Sequence, residues 1–212
     1  MEISIDIEGV ESTIKLVTEE NDKIAVLGQN GSGKTTFLKA LSGLYVPKSG
    51  IIKYNKEIKI EFPMSYLSYK KWERFIKKSV LYLDNSSFFY KELSIKDNIE
   101  YFSEIGDFNR IKIYDDLIRY KIGESLNKPI KYLSEGTRQK LVIIFAINTT
   151  KSLILLDEPD KNLDEETLRR FYDDINKIKE RSVIMSTHTK KSIVEEIGYK
   201  VLTIDKKESM KW

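Results

Sequence analysis

One short run, Gly28-Gln29-Asn30-Gly31-Ser32-Gly33-Lys34-Thr35, with Thr36 directly after it, leaves this chain few possible folds. Residues 23–27 before it are apolar and short, as a buried strand would be. Residues 34–42 after it follow a helical period that stops at Gly43. Glycine, four residues, then Gly-Lys-Thr between a strand and a helix is the pattern of a phosphate-binding loop. The glycines let the backbone wrap closely around phosphates. Loop N–H groups and the helix N-terminus then face the negative charge. Gly28, Asn30, Gly31, Ser32, Gly33, Lys34, Thr35 and Thr36 are therefore the candidate phosphate-binding residues. Lys34 would reach the β- and γ-phosphates and share in catalysis, and the Thr35 hydroxyl would ligate Mg²⁺. The competing reading is a glycine-rich strand-to-helix turn with an incidental lysine. The loop alone does not choose among kinases, GTPases and ATPases.

Composition removes several other classes. The 212 residues include no cysteine and one histidine, which excludes disulfide frameworks, thiolate zinc sites and histidine-rich metal sites. Lys and Arg number 36 against 33 Asp and Glu, a net charge of +3. That balance argues against a dedicated nucleic-acid binder. The longest strongly apolar run, residues 141–147, is far short of the roughly 20 residues of a membrane span. The acidic, alternating N-terminus does not read as a signal peptide. A soluble cytoplasmic chain is expected.

Strand and helix patterns alternate along most of the sequence. Ile3, Ile5 and Ile7 alternate with polar residues, and residues 13–17 behave similarly. Residues 51–54 and 57–60 read as a hairpin around Asn55-Lys56. Residues 65–78 read as a helix with Tyr66, Tyr69, Trp72 and Phe75 along one face. Strands follow at 79–83, 153–156, 182–185 and 200–204, and helices at 164–179 and 189–197. This predicts an α/β fold of the P-loop NTPase kind, with a mostly parallel central sheet and N-terminal antiparallel strands. The largely helical block 85–150 sits between two such stretches, as an inserted subdomain would. Residues 1–84 and 151–212 would then form the core.

A second motif is Leu153-Ile154-Leu155-Leu156-Asp157-Glu158, an apolar strand that ends in two carboxylates. Open α/β sheets build their sites at such strand ends. Asp157 would hold Mg²⁺ and Glu158 would act as general base on the attacking water. A charged cap after a core strand is the alternative, and the phosphate loop favours catalysis.

A third motif fixes the class. Leu133-Ser134-Glu135-Gly136-Thr137-Arg138-Gln139-Lys140, with Ser134 100 residues after Lys34, opens an apolar helix. With it the sequence resembles the ATP-binding-cassette (ABC) ATPases over essentially its whole length. The resemblance implies that Ser134 and Gly136 face the γ-phosphate of ATP bound by an opposing subunit, an anion at a helix N-terminus. Pro159-Asp160-Lys161-Asn162-Leu163-Asp164 resembles the family's D-loop, with Asp164 as its aspartate. Ser186-Thr187-His188 resembles its switch motif, with His188 on the γ-phosphate and the water. The segment from Tyr82 to Ser87 resembles the Q-loop, with Asn85 in place of glutamine as a Mg²⁺ and nucleotide contact. Asn85 either reaches the metal, directly or through water, or couples nucleotide and partner less tightly. Glu135 replaces a glycine and would repel a phosphate unless it points away.

Residues 1–36 contain no aromatic residue to stack on adenine, as the family usually does. Val10 offers at most an apolar contact, and weak base discrimination is expected. Ser87-Phe88-Phe89-Tyr90 and Tyr101-Phe102 pack a small lobe or line a groove for a membrane partner. What the resemblance implies is an ATPase using ATP and Mg²⁺, paired with a second cassette as homodimer or heterodimer. It would serve separate transmembrane permease subunits at the cytoplasmic face of the membrane, without nucleic acid. Residues 133–141 and the lack of a regulatory domain lean toward export. The alternative is a soluble ABC ATPase acting in assembly or on nucleic acid or ribosomes.

Overall fold

A computed structural model describes residues 1–10, 12–84 and 88–205. Four strands, β1 (Glu2–Asp6), β2 (Ile14–Val17), β4 (Ser49–Lys53) and β5 (Lys59–Phe62), form an antiparallel sheet in the order β2-β1-β4-β5. Five others, β3 (Lys23–Leu27), β6 (Val80–Leu83), β7 (Leu153–Asp157), β8 (Ser182–Ser186) and β9 (Lys200–Thr203), form a sheet in the order β6-β7-β8-β3-β9. Every pairing in this second sheet is parallel.

Side chains alternate between the faces of a strand, and here the alternation sorts residues into two cores. Ile24, Val26, Leu155 and Ile184 face a core shared with Ile3, Ile5, Ile52 and Ile60 of the antiparallel sheet. Phe37, Leu38 and Leu41 of helix α1 (Lys34–Leu41) join it. Ala25, Ile154, Leu156 and Met185 face the other core. That core continues through α3 (Ile95–Glu104), α4 (Arg110–Arg119) and α5 (Glu135–Asn148), which lie in the chain between β6 and β7. Helix α6 (Glu165–Lys177) and the short α7 (Lys191–Glu196) complete the layer.

The helices start where the chemistry of capping puts them. Ser94, Asn109, Ser134 and Asp164 each accept the N–H three residues on. Ser65 does the same for α2 (Tyr66–Ser79), the helix joining β5 to β6. The aromatics of α2 do not share one face. A spacing of three residues steps back about 60° per repeat on a 3.6-residue helix. Trp72 is therefore buried and Phe75 half-buried, whereas Tyr66 and Tyr69 are exposed. Phe88 and Phe89 also part company. Phe89 is buried against Phe145, with ring centroids 5.0 Å apart. Phe88 stacks on Phe102 at 4.5 Å and lines a groove with Leu44, Leu81, Ile105 and Phe108.

Candidate nucleotide site

The C-terminal ends of β3, β7 and β8 lie on neighbouring strands of one parallel sheet. Gly28, the pair Asp157-Glu158, and Ser186 to His188 therefore meet at one edge, where an open α/β sheet builds its sites. Gly28 and Gly33 are demanded by geometry. A Cβ on Gly28 would sit 2.3 Å from the Ile204 carbonyl oxygen, and one on Gly33 would sit 2.7 Å from Val10 Cγ2. Gly28, Gly31 and Gly33 all have positive φ, at 153°, 75° and 101°. Lys34 folds back over the loop and donates from Nζ to the carbonyls of Gly28 at 2.8 Å and Gln29 at 3.1 Å. It is buried, so the ammonium is already held at the loop's centre. Ser32 is buried, and its Oγ has no hydrogen-bond partner among the described residues.

Thr35 ties the loop to the acidic strand end. Its hydroxyl donates to Asp157 Oδ1 at 3.1 Å. Ser186 Oγ donates to the same oxygen at 2.6 Å, and the Tyr82 hydroxyl donates to Oδ2 at 3.3 Å. Hydroxyl and carboxylate oxygens are the donors that Mg²⁺ takes, so this pair fits the metal. Glu158 follows with φ of 49°. A left-handed backbone costs a non-glycine residue roughly 1–2 kcal/mol. Two partners fix it there: the Glu158 N–H donates to Ser186 Oγ at 2.9 Å, and Gln139 Nε2 donates to the Glu158 carbonyl at 3.1 Å.

The Glu158 carboxylate is gripped at both oxygens. His188 Nε2 lies 2.9 Å from Oε1, and Lys161 Nζ donates to Oε2 at 3.1 Å. Burial pushes the carboxyl pKa up, but the contacts with His188 and Lys161 outweigh it and hold the group below its ordinary range. Asp160, two residues on, ties the D-loop to the switch segment. Its Oδ2 accepts from the hydroxyls of Thr187, Thr189 at 2.7 Å and Tyr172 at 3.1 Å.

Ser134 caps α5, accepting from the Thr137 N–H at 3.2 Å. A Cβ on Gly136 would lie 3.3 Å from the Asn162 carbonyl oxygen, so glycine lets this helix approach the D-loop. Asp164 caps α6 through the Thr167 N–H at 2.8 Å, and the Thr167 contacts lower its pKa. Glu135 lines a cleft of 360 Å³ with Thr35, Asp157, Glu158, Lys39 and Lys161 of its own chain.

Hydrogen bonds thus link Thr35, Asp157, Ser186, Glu158 and His188, with Lys34 held in the loop beside Thr35. The structure sets Ser134, Gly136 and Asp164 on the neighbouring α5 and α6 starts. Asn85 lies outside the described residues. Ser186, Lys161, Gln139, Tyr82 and Asp160 are site residues that the sequence reading assigned no role. All five stand inside the quoted motifs, and their contacts come from the tertiary fold.

The sequence profile of the family described as ABC transporter matches residues 12–161. ABC transporter ATP-binding protein NatA of Bacillus subtilis is 27% identical over 191 residues, covering 87% of this chain and 72% of that protein. Cytochrome c biogenesis ATP-binding export protein CcmA of Reclinomonas americana is 30% identical over 184 residues, covering 83% and 77%. Among solved structures, a dimeric post-hydrolysis state of the ATP-binding cassette MJ0796 bound to ADP and Pi superposes with a TM-score of 0.76. It is 19% identical and covers 98% of this chain and 97% of that one. The cleft that joins a phosphate loop to a carboxylate-ended strand is accordingly that of an ATPase cassette, and this chain belongs to the ABC transporter family.

Proposed function

We propose that this cassette is one half of a head-to-tail pair that hydrolyses ATP to drive transport through separate transmembrane permease subunits. The observation that carries the reading is the Glu158 carboxylate, 2.9 Å from His188 Nε2 and one residue after the Asp157 that accepts from Thr35. A base, a metal-binding carboxylate and the loop lysine are together what phosphoryl transfer to water requires. Mg²⁺, held by Thr35 and Asp157, would supply positive charge to the β- and γ-phosphate oxygens. Lys34 exchanges its loop carbonyls for phosphate oxygens. Glu158 orients the water and accepts its proton, while His188 holds the carboxylate and the water in line. The water oxygen bonds to the γ-phosphorus as the bond to the bridging oxygen breaks, and ADP leaves with charge balanced by Lys34.

In this reading Ser134 and Gly136 of the opposing subunit close on the γ-phosphate, so ATP binding shuts the pair and hydrolysis opens it. The helical block 85–150 is the lobe that carries them. The partner cassette is a second copy or a relative, nucleic acid is not involved, and the pair sits at the cytoplasmic face of the membrane. Export is favoured by the CcmA relative, whose name is that of an export protein. Among the described residues no helix is long and apolar enough to cross a membrane.

Glu158→Gln tests the mechanism. It is expected to abolish turnover and to leave an ATP-dependent dimer on size-exclusion chromatography. Purification from the membrane fraction is expected to bring down a polytopic membrane protein. Undiminished turnover removes Glu158 from its role, and copurification of RNA or a soluble complex instead removes the transport reading.

A further inference from the structure

Helix α2 differs electrically from the rest of the molecule. Its 14 residues carry Lys70, Lys71, Arg74, Lys77 and Lys78 against one acid, Glu73, a net charge of +4. The whole chain carries +3, so everything outside α2 is close to neutral. At 3.6 residues per turn the five cations occupy an arc of about 120°. The opposite face is anchored. Trp72 is buried and donates its indole N–H to the Tyr54 hydroxyl at 3.0 Å, and Trp72 and Ile76 pack over Gly43. The helix therefore cannot roll its charges inward.

Little on the molecule neutralises that face. Glu73 accepts from both Lys70 at 3.1 Å and Lys77 at 2.9 Å. Arg74 and Lys78 have no ion pair among the described residues. The N-terminal end of the helix is apolar and outward, with Leu67 79% and Tyr66 71% exposed. The other end runs into the apolar groove, since Lys77 lines it beside Leu44, Phe88 and Ile105. Cations along a helix with an aromatic and a leucine at its rim suit a surface that is anionic outside and apolar beneath.

We propose that the exposed face of α2 lies directly on an anionic phospholipid surface. Its five cations meet headgroup phosphates, and Tyr66 and Leu67 enter the boundary between headgroups and acyl chains. A membrane contact of this kind belongs to the cassette itself and does not require a permease subunit. Opposite charge supplies the attraction, and each basic side chain near such a surface strengthens binding about fivefold. A purely anionic polymer, polyglutamate or an RNA, would satisfy the cations but would offer Leu67 no apolar phase.

Cosedimentation of the purified full chain with vesicles tests this. Binding is expected to vesicles of phosphatidylcholine with phosphatidylglycerol, to be absent with phosphatidylcholine alone, and to weaken as salt is raised. Arg74→Gln with Lys78→Gln is expected to weaken it by roughly 25-fold. Leu67→Ser should weaken it without changing its salt dependence. Lys190→Gln with Lys191→Gln, at the start of α7, should leave it unchanged. ATP turnover per subunit should be the same in all of them, which reports that the variants fold. Equal binding to neutral vesicles, no binding to either, unchanged binding by the Arg74 and Lys78 double variant, or preference for polyglutamate or an RNA oligomer would each overturn the assignment.

Discussion

Glu158 shows how much of this site is held by single atoms. Its backbone φ is 49°, and the Ser186 hydroxyl is the group that reconciles this turn with the sheet. That one oxygen accepts the Glu158 N–H and donates to Asp157, so it sets the base and the metal-binding carboxylate relative to each other. Ser186 is fully buried, and water cannot replace it. Ser186→Ala removes both bonds and strands a backbone donor, a loss of roughly 1–3 kcal/mol. Expressed in the transition state, this is a fall in kcat of about fivefold to 150-fold. The KM for ATP should barely move, because Lys34 and the loop N–H groups are untouched. Steady-state kinetics that show an unchanged kcat would reduce Ser186 to an ordinary strand-end hydroxyl.

At the scale of elements, α4 and α6 are joined by a buried charge. Arg119 Nη1 donates to Asp174 Oδ1 at 2.8 Å, and the Tyr120 hydroxyl, at the end of α4, donates to Oδ2 at 2.8 Å. Burial raises the Asp174 pKa, but the Arg119 and Tyr120 hydrogen bonds outweigh it and hold the carboxyl below its ordinary value. A carboxylate whose pKa falls on folding stabilises the fold above its unfolded pKa, about 3.9, and loses that contribution as pH drops through the folded value. Asp174→Asn is expected to cost about 2 kcal/mol at neutral pH, less than a fully buried pair would lose. Arg119 is partly exposed, which is the reason for the smaller figure. Urea midpoints measured from neutral to acid should fall more steeply for the wild type than for the variant. Parallel slopes would remove Asp174 from the acid sensitivity of the fold.

The same elements show what a sequence carries locally. The period of residues 34–42, the apolar run before Gly28 and the hairpin at Asn55 are short-range signals. Asn55 Oδ1 accepts from the N–H groups of Glu57 and Ile58, a turn made within four residues. The motif residues Lys34, Asp157, Glu158 and His188 were legible because their types and order are specific. Three kinds of fact were not. The grip of Lys161 on Glu158 depends on the D-loop turn. The Asp174 clamp joins residues 54 and 55 positions apart. The outward turn of Tyr66 and Tyr69 follows from a three-residue spacing that drifts around a 3.6-residue helix. Pattern marks which residues are apolar or charged, and packing decides which of them meet.

For the whole molecule, the decisive question is whether a complete site belongs to one copy or to two. In the head-to-tail reading, each site joins Lys34 and Glu158 of one copy to Ser134 and Gly136 of the other. Lys34→Ala disables the first half and Ser134→Arg the second, so each variant alone should be nearly inactive. In a mixed pair, one site carries both defects and the other carries none. An equal mixture forms mixed pairs half the time, each with one intact site of two, so roughly a quarter of the wild-type rate should return. A dilution series of the wild type should show the companion effect, with turnover per subunit falling as pairs dissociate. Pull-down of one variant through an affinity tag on the other, in ATP, would confirm that the mixed pairs form. If they form and no activity returns, the two halves are not contributed in trans by independent sites, and the cleft around Thr35, Glu135 and Glu158 must be complete within one copy.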